Sequence, residues 1–336
     1  MKVAATDRDS LRLLAHGYYF SCALFAAVRL GLAEALANEA RSAEQLAVEL
    51  KTEPNATVRF LRFLTSIGIL HENEHQHFAL SEVGQYLRPD HPNSIAREIS
   101  MFSGGQIYRS WGEVLQTIKT GKPAFDVLNG QPLFSYLAGH PETANLFHQG
   151  WHEITATVAK EVVDVYDLSS IGTVTDVGGG YGIFLATLLH QIKRLKGVLF
   201  DLPFSVEGSE ETFQEMGVGD RVTVVTGDAA QQVPPMEICV VKSVIHVCDD
   251  ERAQRILSNC SASLPPDGKI LVLERVIPKG SGYHWSRLVD MTMMVMTGGR
   301  ERTVEEYTAL FGRSGLRLNR CLELPSGFSI IEGSAA

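Results

Sequence analysis

A chain of 336 residues with 45% hydrophobic content, a net charge of −9 and five cysteines excludes several classes of protein. It is too long for one small core and points to two domains, while the negative balance disfavours nucleic acid as a partner, because neutralising phosphates takes clustered Lys and Arg. The cysteines, at 22, 239, 248, 260 and 321, are never in Cys-x-x-Cys spacing, which argues for reduced thiols and against a zinc–cysteine site. No apolar run reaches the roughly 20 residues of a membrane span, and Met1–Asp9 has neither the basic start nor the apolar core of a signal peptide, so a cytoplasmic protein is expected.

The chain up to residue 150 is helix-rich. Leu11, Leu14, Tyr18, Cys22, Phe25 and Val28 recur at three- and four-residue intervals, which predicts one long amphipathic helix with an apolar face that a partner subunit would cover. Ser42 is the N-cap expected for a helix over 42–50, a second helix follows over 55–67, and residues 70–80 read as two short strands around the polar tip 73–77. Two helices and a hairpin make a winged-helix outline. Between residues 41 and 88, five Lys/Arg stand against six Asp/Glu, so the module reads as structural and not as a DNA reader. His71, His75 and His77 in the hairpin lack the fixed geometry of a metal site, and none is expected there.

Beyond residue 150 the texture changes to short apolar runs separated by helices: 173–177, 197–201, 222–226, 238–242 and 269–274. Alternating strand and helix predicts an α/β domain over 151–336, a doubly wound, Rossmann-like parallel sheet whose ligands lie over the carboxyl ends of the strands. The first strand runs into Asp176-Val-Gly-Gly-Gly-Tyr-Gly182, where Gly178, Gly180 and Gly182 permit a tight turn and close approach of a ligand. A dinucleotide loop wants glycines at relative positions one, three and six. Counted from Gly178 the sixth is Ile183, so the loop suits an adenosine without a pyrophosphate, and S-adenosylmethionine fits. Asp201, ending the second strand ahead of Leu202, is placed to accept hydrogen bonds from both ribose hydroxyls. Asp228 is placed for the adenine amino group, with Ala229 against the base and Lys242 and Ser243 at the next strand end.

His246 follows that strand by a few residues. A histidine with an ordinary pKa of about 6.5 is mostly neutral at physiological pH and suits acid–base work. Such a base is what methylation of a phenol requires, since the hydroxyl, with a pKa of about 10, is a weak nucleophile until deprotonated. Either Glu274 or Glu301 is placed to orient the imidazole.

Together these motifs resemble the S-adenosylmethionine-dependent O-methyltransferases of the plant caffeic-acid type and of bacterial natural-product pathways. The resemblance runs from about residue 10 to the C-terminus and includes Phe200-Asp-Leu-Pro203, Leu264-Pro-Pro-Asp-Gly268 and Gly298-Gly-Arg-Glu-Arg-Thr303. It implies His246 as catalytic base flanked by Glu274 and Glu301, and a cofactor site lined by Gly178, Asp201, Asp228, Ala229 and Lys242. It also implies S-adenosylhomocysteine as product, no metal, and an N-terminal all-α, winged-helix-like domain over 1–150 that forms a homodimer. The family's usual His-Asp-Trp is His246-Val-Cys248 here, and Trp151 stands where a methionine is usual, after Phe147. With Asp290 and Met294 on the methionine-rich run 290–296, these residues predict walls for a small, flat aromatic acceptor. The rival readings are N-methylation of an aromatic nitrogen, which needs no base, and a family member that binds the cofactor without methylating.

Overall fold

The computed structural model describes residues 5–336, which pack as two compact units: one runs up to Arg109 and takes in Asn145–Glu153, the other combines Ser110–Ala144 with Ile154–Ala336. The division thus crosses the chain more than once, where the sequence suggested a single break near residue 150.

In the first unit, the long helix expected near the N-terminus is two helices, Arg8–Ala15 and Gly17–Arg29, bent by 42°. The break lies at His16, whose Nδ1 bonds the Arg12 carbonyl at 2.7 Å, followed by Gly17, which holds helical geometry weakly. Ser42 does cap the helix Ala43–Leu50, in a reciprocal pairing with Gln45. After the helix Pro54–Ser66 come β2 (Leu70–Glu72) and β3 (His77–Leu80), joined by a strand not foreseen, β1 (Arg41–Ser42), into a small antiparallel sheet of order β1-β3-β2. The core of this unit is built on Leu46, Leu61, Leu64, Leu70 and Phe78.

The second unit is organised by a seven-stranded sheet. Its strands are β4 (Thr173–Val177), β5 (Lys196–Asp201), β6 (Val222–Thr226), β7 (Ile238–Lys242), β8 (Lys269–Glu274), β9 (Leu316–Glu323) and β10 (Ser329–Ala335), in the order β6-β5-β4-β7-β8-β10-β9. Strands β4 to β8 pair in parallel, as expected, but β10 inserts antiparallel between β8 and β9, so the sheet is mixed.

Alternate residues of each strand face opposite layers. Val240, Leu271 and Leu273 pack with Val158, Val162, Phe184 and Leu188 from the helices His152–Val165 and Ile183–Gln191. Cys239, Val241, Ile270 and Val272 pack with Ile256, Leu257, Tyr307 and Phe311 from Asp250–Ser263 and Val304–Arg313. The segment 110–144 joins this unit because its helices Val114–Thr120 and Ala124–Asn129 pack on the helix Trp285–Met296. The chain leaves β4 toward β5 on one side and returns to β7 on the other, so the strand order reverses there, which opens a crevice above the carboxyl ends. Of the five cysteines, all unpaired, Cys239, Cys248 and Cys260 are buried. Among the described residues no single helix is long and apolar enough to cross a membrane.

Candidate active site

At the carboxyl end of β4 the chain turns on glycines in left-handed geometry, with φ of 76° at Gly178, 56° at Gly180 and 75° at Gly182. Gly178 has a second reason to be glycine, since a Cβ there would collide with the Val244 side chain. The loop is fastened from β5. Asp201 accepts from the Gly180 N–H at 2.8 Å through one carboxylate oxygen and from the Leu202 N–H at 2.7 Å through the other. Burial pushes the Asp201 carboxyl up, and those two N–H groups pull it back.

Beneath the loop lies a carboxylate that sequence reasoning quoted without giving it a role. Asp176 is fully buried, and neither of its oxygens has a hydrogen-bond partner among the described residues. Desolvation raises its pKa to about 7, against the pull of Lys242. Lys242 ends β7, is itself pushed down to about 8 by burial, and lies 3.2 Å from the Ser243 hydroxyl. Ser243, the next residue, takes a φ of 55°, a left-handed conformation that is uncommon for a residue with a side chain. A turn that excludes a Cβ, an acidic strand end and an orphaned buried carboxylate fit an adenosyl cofactor carrying positive charge.

Asp228 is engaged: one of its oxygens accepts from Arg252 at 2.8 Å and from the Ala230 N–H at 2.9 Å. Ala229 is half-buried beside it, its carbonyl accepting from Asn259 at 2.9 Å.

Past β7 the site is made of side chains. His246 is buried, and its Nδ1 stands 2.8 Å from Glu301 Oε1 and 3.3 Å from Glu274 Oε2. The sequence offered the two acids as alternatives, and the fold brings both. Glu274 ends β8 with no exposure, and its other oxygen accepts from the Ile245 and His246 N–H groups at 2.9 and 3.2 Å. Glu301 lies in the turn before the helix Val304–Arg313, where its N–H donates to Asp290 at 2.9 Å.

Desolvation raises both glutamates, and desolvation also depresses the histidine, with Glu274 opposing. With either acid ionised, Nδ1 is the donor and Nε2 keeps the lone pair. The three side chains also bring ligand atoms within 4.8 Å of one another, so the cluster is compact enough in principle for a cation as well as for a shared proton.

The remaining positions divide between the units. Phe147 and Trp151 belong to the first, where Trp151 packs edge-on against Phe102 and Phe147 at centroid distances of 5.7 and 6.3 Å. Trp151 lies between two helices: Pro141–Gly150 ends before it and His152–Val165 begins after. Asp290 and Met294 belong to the second unit, on Trp285–Met296, where Met293 and Met296 are core and Met294 is half-buried. Cys248, in place of the usual tryptophan, is buried, and its thiol donates to the Val244 carbonyl at 3.2 Å.

The family profile described as an O-methyltransferase domain matches residues 111–317, and that of an O-methyltransferase dimerisation domain matches residues 13–90. The chain belongs to the O-methyltransferase family. A phenazine O-methyltransferase from Lysobacter antibioticus is 36% identical to it, covering 94% of this chain and 93% of the relative. The solved structure of mitomycin 7-O-methyltransferase superposes with a TM-score of 0.91 at 30% identity, covering 98% of this chain and 97% of that one. A phenazine-1-carboxylate N-methyltransferase from Pseudomonas aeruginosa is 27% identical over 95% of each chain. This O-methyltransferase therefore uses S-adenosylmethionine and carries a dimerisation domain.

Proposed function

We propose that this O-methyltransferase methylates a hydroxyl group of a flat aromatic secondary metabolite, with His246 as general base. The observation that carries the reading is the pairing of His246 Nδ1 with Glu301 and Glu274 at 2.8 and 3.3 Å, all three side chains being buried. The bound cofactor supplies a methyl group already activated on a sulfonium, and it leaves as S-adenosylhomocysteine.

The protein contributes position and a place for the proton. Gly178, Gly180, Asp201, Leu202, Asp228, Ala229, Lys242 and Ser243 hold the donor. His246 Nε2 takes the acceptor's hydroxyl proton as the oxygen attacks, and the resulting imidazolium is stabilised through Nδ1 by the two glutamates. Asp290, whose carboxylate fixes the Glu301 N–H, and Met294 on the same helix bound the acceptor. Aromatic acceptors fit the relatives' names, phenazine among them.

N-methylation is the rival, because a relative does it. A nitrogen lone pair attacks without losing a proton first, so two buried carboxylates trained on one imidazole would have no work in that reaction. The apolar side chains Leu11, Leu13, Leu14, Tyr18 and Tyr19, exposed on the first two helices, support a homodimer in which a second copy covers them.

The test is turnover of hydroxylated aromatics and aza-arenes with methyl-labelled cofactor and a chelator present, comparing wild type with His246→Ala. Methyl on oxygen, and loss of about 10²–10⁴-fold in the variant with cofactor binding intact, is the expected outcome. Methyl on nitrogen, or unaltered turnover by the variant, defeats the reading. Loss of wild-type turnover on chelation would assign the His246, Glu274 and Glu301 cluster to a metal ion instead.

A further inference from the structure

Next in sequence to Glu301 stands Arg302, the largest fully buried side chain among the described residues, at 1% exposure. Its guanidinium donates to the carbonyl of Ile245 at 3.1 Å and to that of Cys248 at 3.4 Å, which lie on either side of His246. It also reaches Asp250 Oδ1 at 2.6 Å and the Arg300 carbonyl at 3.2 Å. The backbone of Arg302 is itself fixed, bridging to Val276 just beyond β8 and accepting from the Ile277 N–H at 3.0 Å. Gly299, three residues earlier, runs so close to the histidine loop that a Cβ would collide with the His246 carbonyl and the Val247 main chain.

We propose that Arg302 is a positioning residue for the catalytic base: its fork holds the main chain on both sides of His246 while the adjacent Glu301 holds the ring. The inference rests on the reading of His246 as base. One short turn, 299–302, thereby fixes the loop and the imidazole from the same anchor, so that the two cannot drift apart. Arginine is required for this because one rigid planar group serves several acceptors at once, two of them carbonyls three positions apart. A lysine would keep the charge and the ion pair with Asp250 but lose the fork. A plain buried ion pair would predict the reverse dependence, with Asp250 mattering as much as Arg302 and lysine serving well.

The experiment compares Arg302→Lys, Asp250→Asn, Gly299→Ala and His246→Ala in steady-state turnover, cofactor titration calorimetry and pH profiles. If Arg302 positions the base, Arg302→Lys binds cofactor as wild type does and loses kcat by about 10²-fold, the scale expected for misplacement of a reacting group by about 1 Å. Asp250→Asn, which keeps an acceptor for the guanidinium, loses less than about threefold, well under one rotamer's worth of misplacement.

The acid limb of kcat/KM in Arg302→Lys should also move to higher pH. A loosened loop hydrates an imidazole now depressed by burial, while Glu274, Glu301, Lys242 and Arg275 still face it and the cationic charge at 302 is kept. Should Arg302→Lys fail to fold, Gly299→Ala serves in its place, with the same loss of kcat at unaltered cofactor affinity.

Wild-type kcat in Arg302→Lys, an equal loss in Asp250→Asn, or a loss that merely tracks the folded fraction with an unmoved acid limb overturns the positioning role. Full turnover by His246→Ala would instead overturn the base itself, which separates the two failures.

Discussion

At the ends of β4 and β5 the crevice is made of main chain, whereas past β7 and β8 it is made of buried, charged side chains. The first half works by shape: glycines in left-handed geometry and two backbone N–H groups on Asp201 set the course of the main chain. The second works by chemical identity: an imidazole, two glutamates and a guanidinium, all out of solvent, each depend on the others' charge. The two halves should therefore fail differently, the glycine half in cofactor affinity and the histidine half in kcat.

The sharpest separation comes from removing both acids that face His246. Glu274→Gln with Glu301→Gln should lower kcat by about 10⁴-fold, as loss of the orienting carboxylate does in a serine-protease triad, while calorimetry shows cofactor binding intact. Glu301→Gln alone should cost less, on the order of 10²-fold, because Glu274 remains 3.3 Å from Nδ1.

The converse is Gly178→Val. Left-handed geometry costs a residue with a Cβ about 1–2 kcal/mol, and the collision with Val244 adds to that. Cofactor affinity should fall by at least about tenfold, with kcat at saturating cofactor little affected. A fall in kcat as large as in the glutamate pair would erase the distinction between the halves.

Asp201→Asn should act in the same direction. One of the two backbone N–H groups loses its acceptor, a penalty of about 1–3 kcal/mol, visible as weaker cofactor binding in the same titration.

The smallest effect is in the pH profile. Burial depresses His246 below its ordinary 6.5, so with His246 as the proposed base kcat/KM should fall only as pH drops below that value. Glu274 favours the imidazolium, so Glu274→Gln should carry this acid limb to still lower pH, opposite in direction to Arg302→Lys.

Much of the second unit was legible because the signals were local. The strands at 173–177, 222–226, 238–242 and 269–274 are found where the apolar runs lie, and the glycine turn follows the first of them. Strands β9 and β10 were not foreseen. β9 carries Arg317, Asn319 and Arg320 and is largely exposed, so it offers no apolar run. Its short connection to β10, Leu324 to Phe328, cannot hold the crossover that a parallel pair needs, so an antiparallel hairpin results.

In the histidine half, residue types pointed to His246, Glu274 and Glu301, but nothing local revealed that both acids reach one nitrogen. They come from a strand end and from a turn 27 positions later, and only the closed sheet sets that distance. Arg302 was silent for the same reason, its partners Ile245, Cys248 and Asp250 lying more than 50 positions away. The double glycine at 298 and 299 was the one local hint, marking a close approach of main chains without saying to what.

Cys248 has a practical use. Burial pushes its thiol up to about 11, and its carbonyl is one of those held by Arg302. A thiol in that state does not react with alkylating reagents while the loop is closed, because the thiolate is the nucleophile. Cys321 is more accessible, and Cys239 and Cys260 lie in the core on one face of the sheet. Under native conditions, modification of Cys248 would therefore keep time for openings of the segment around His246, distinct from the global unfolding that core thiols await. The chain carries its own stopwatch for the loop, two residues from His246.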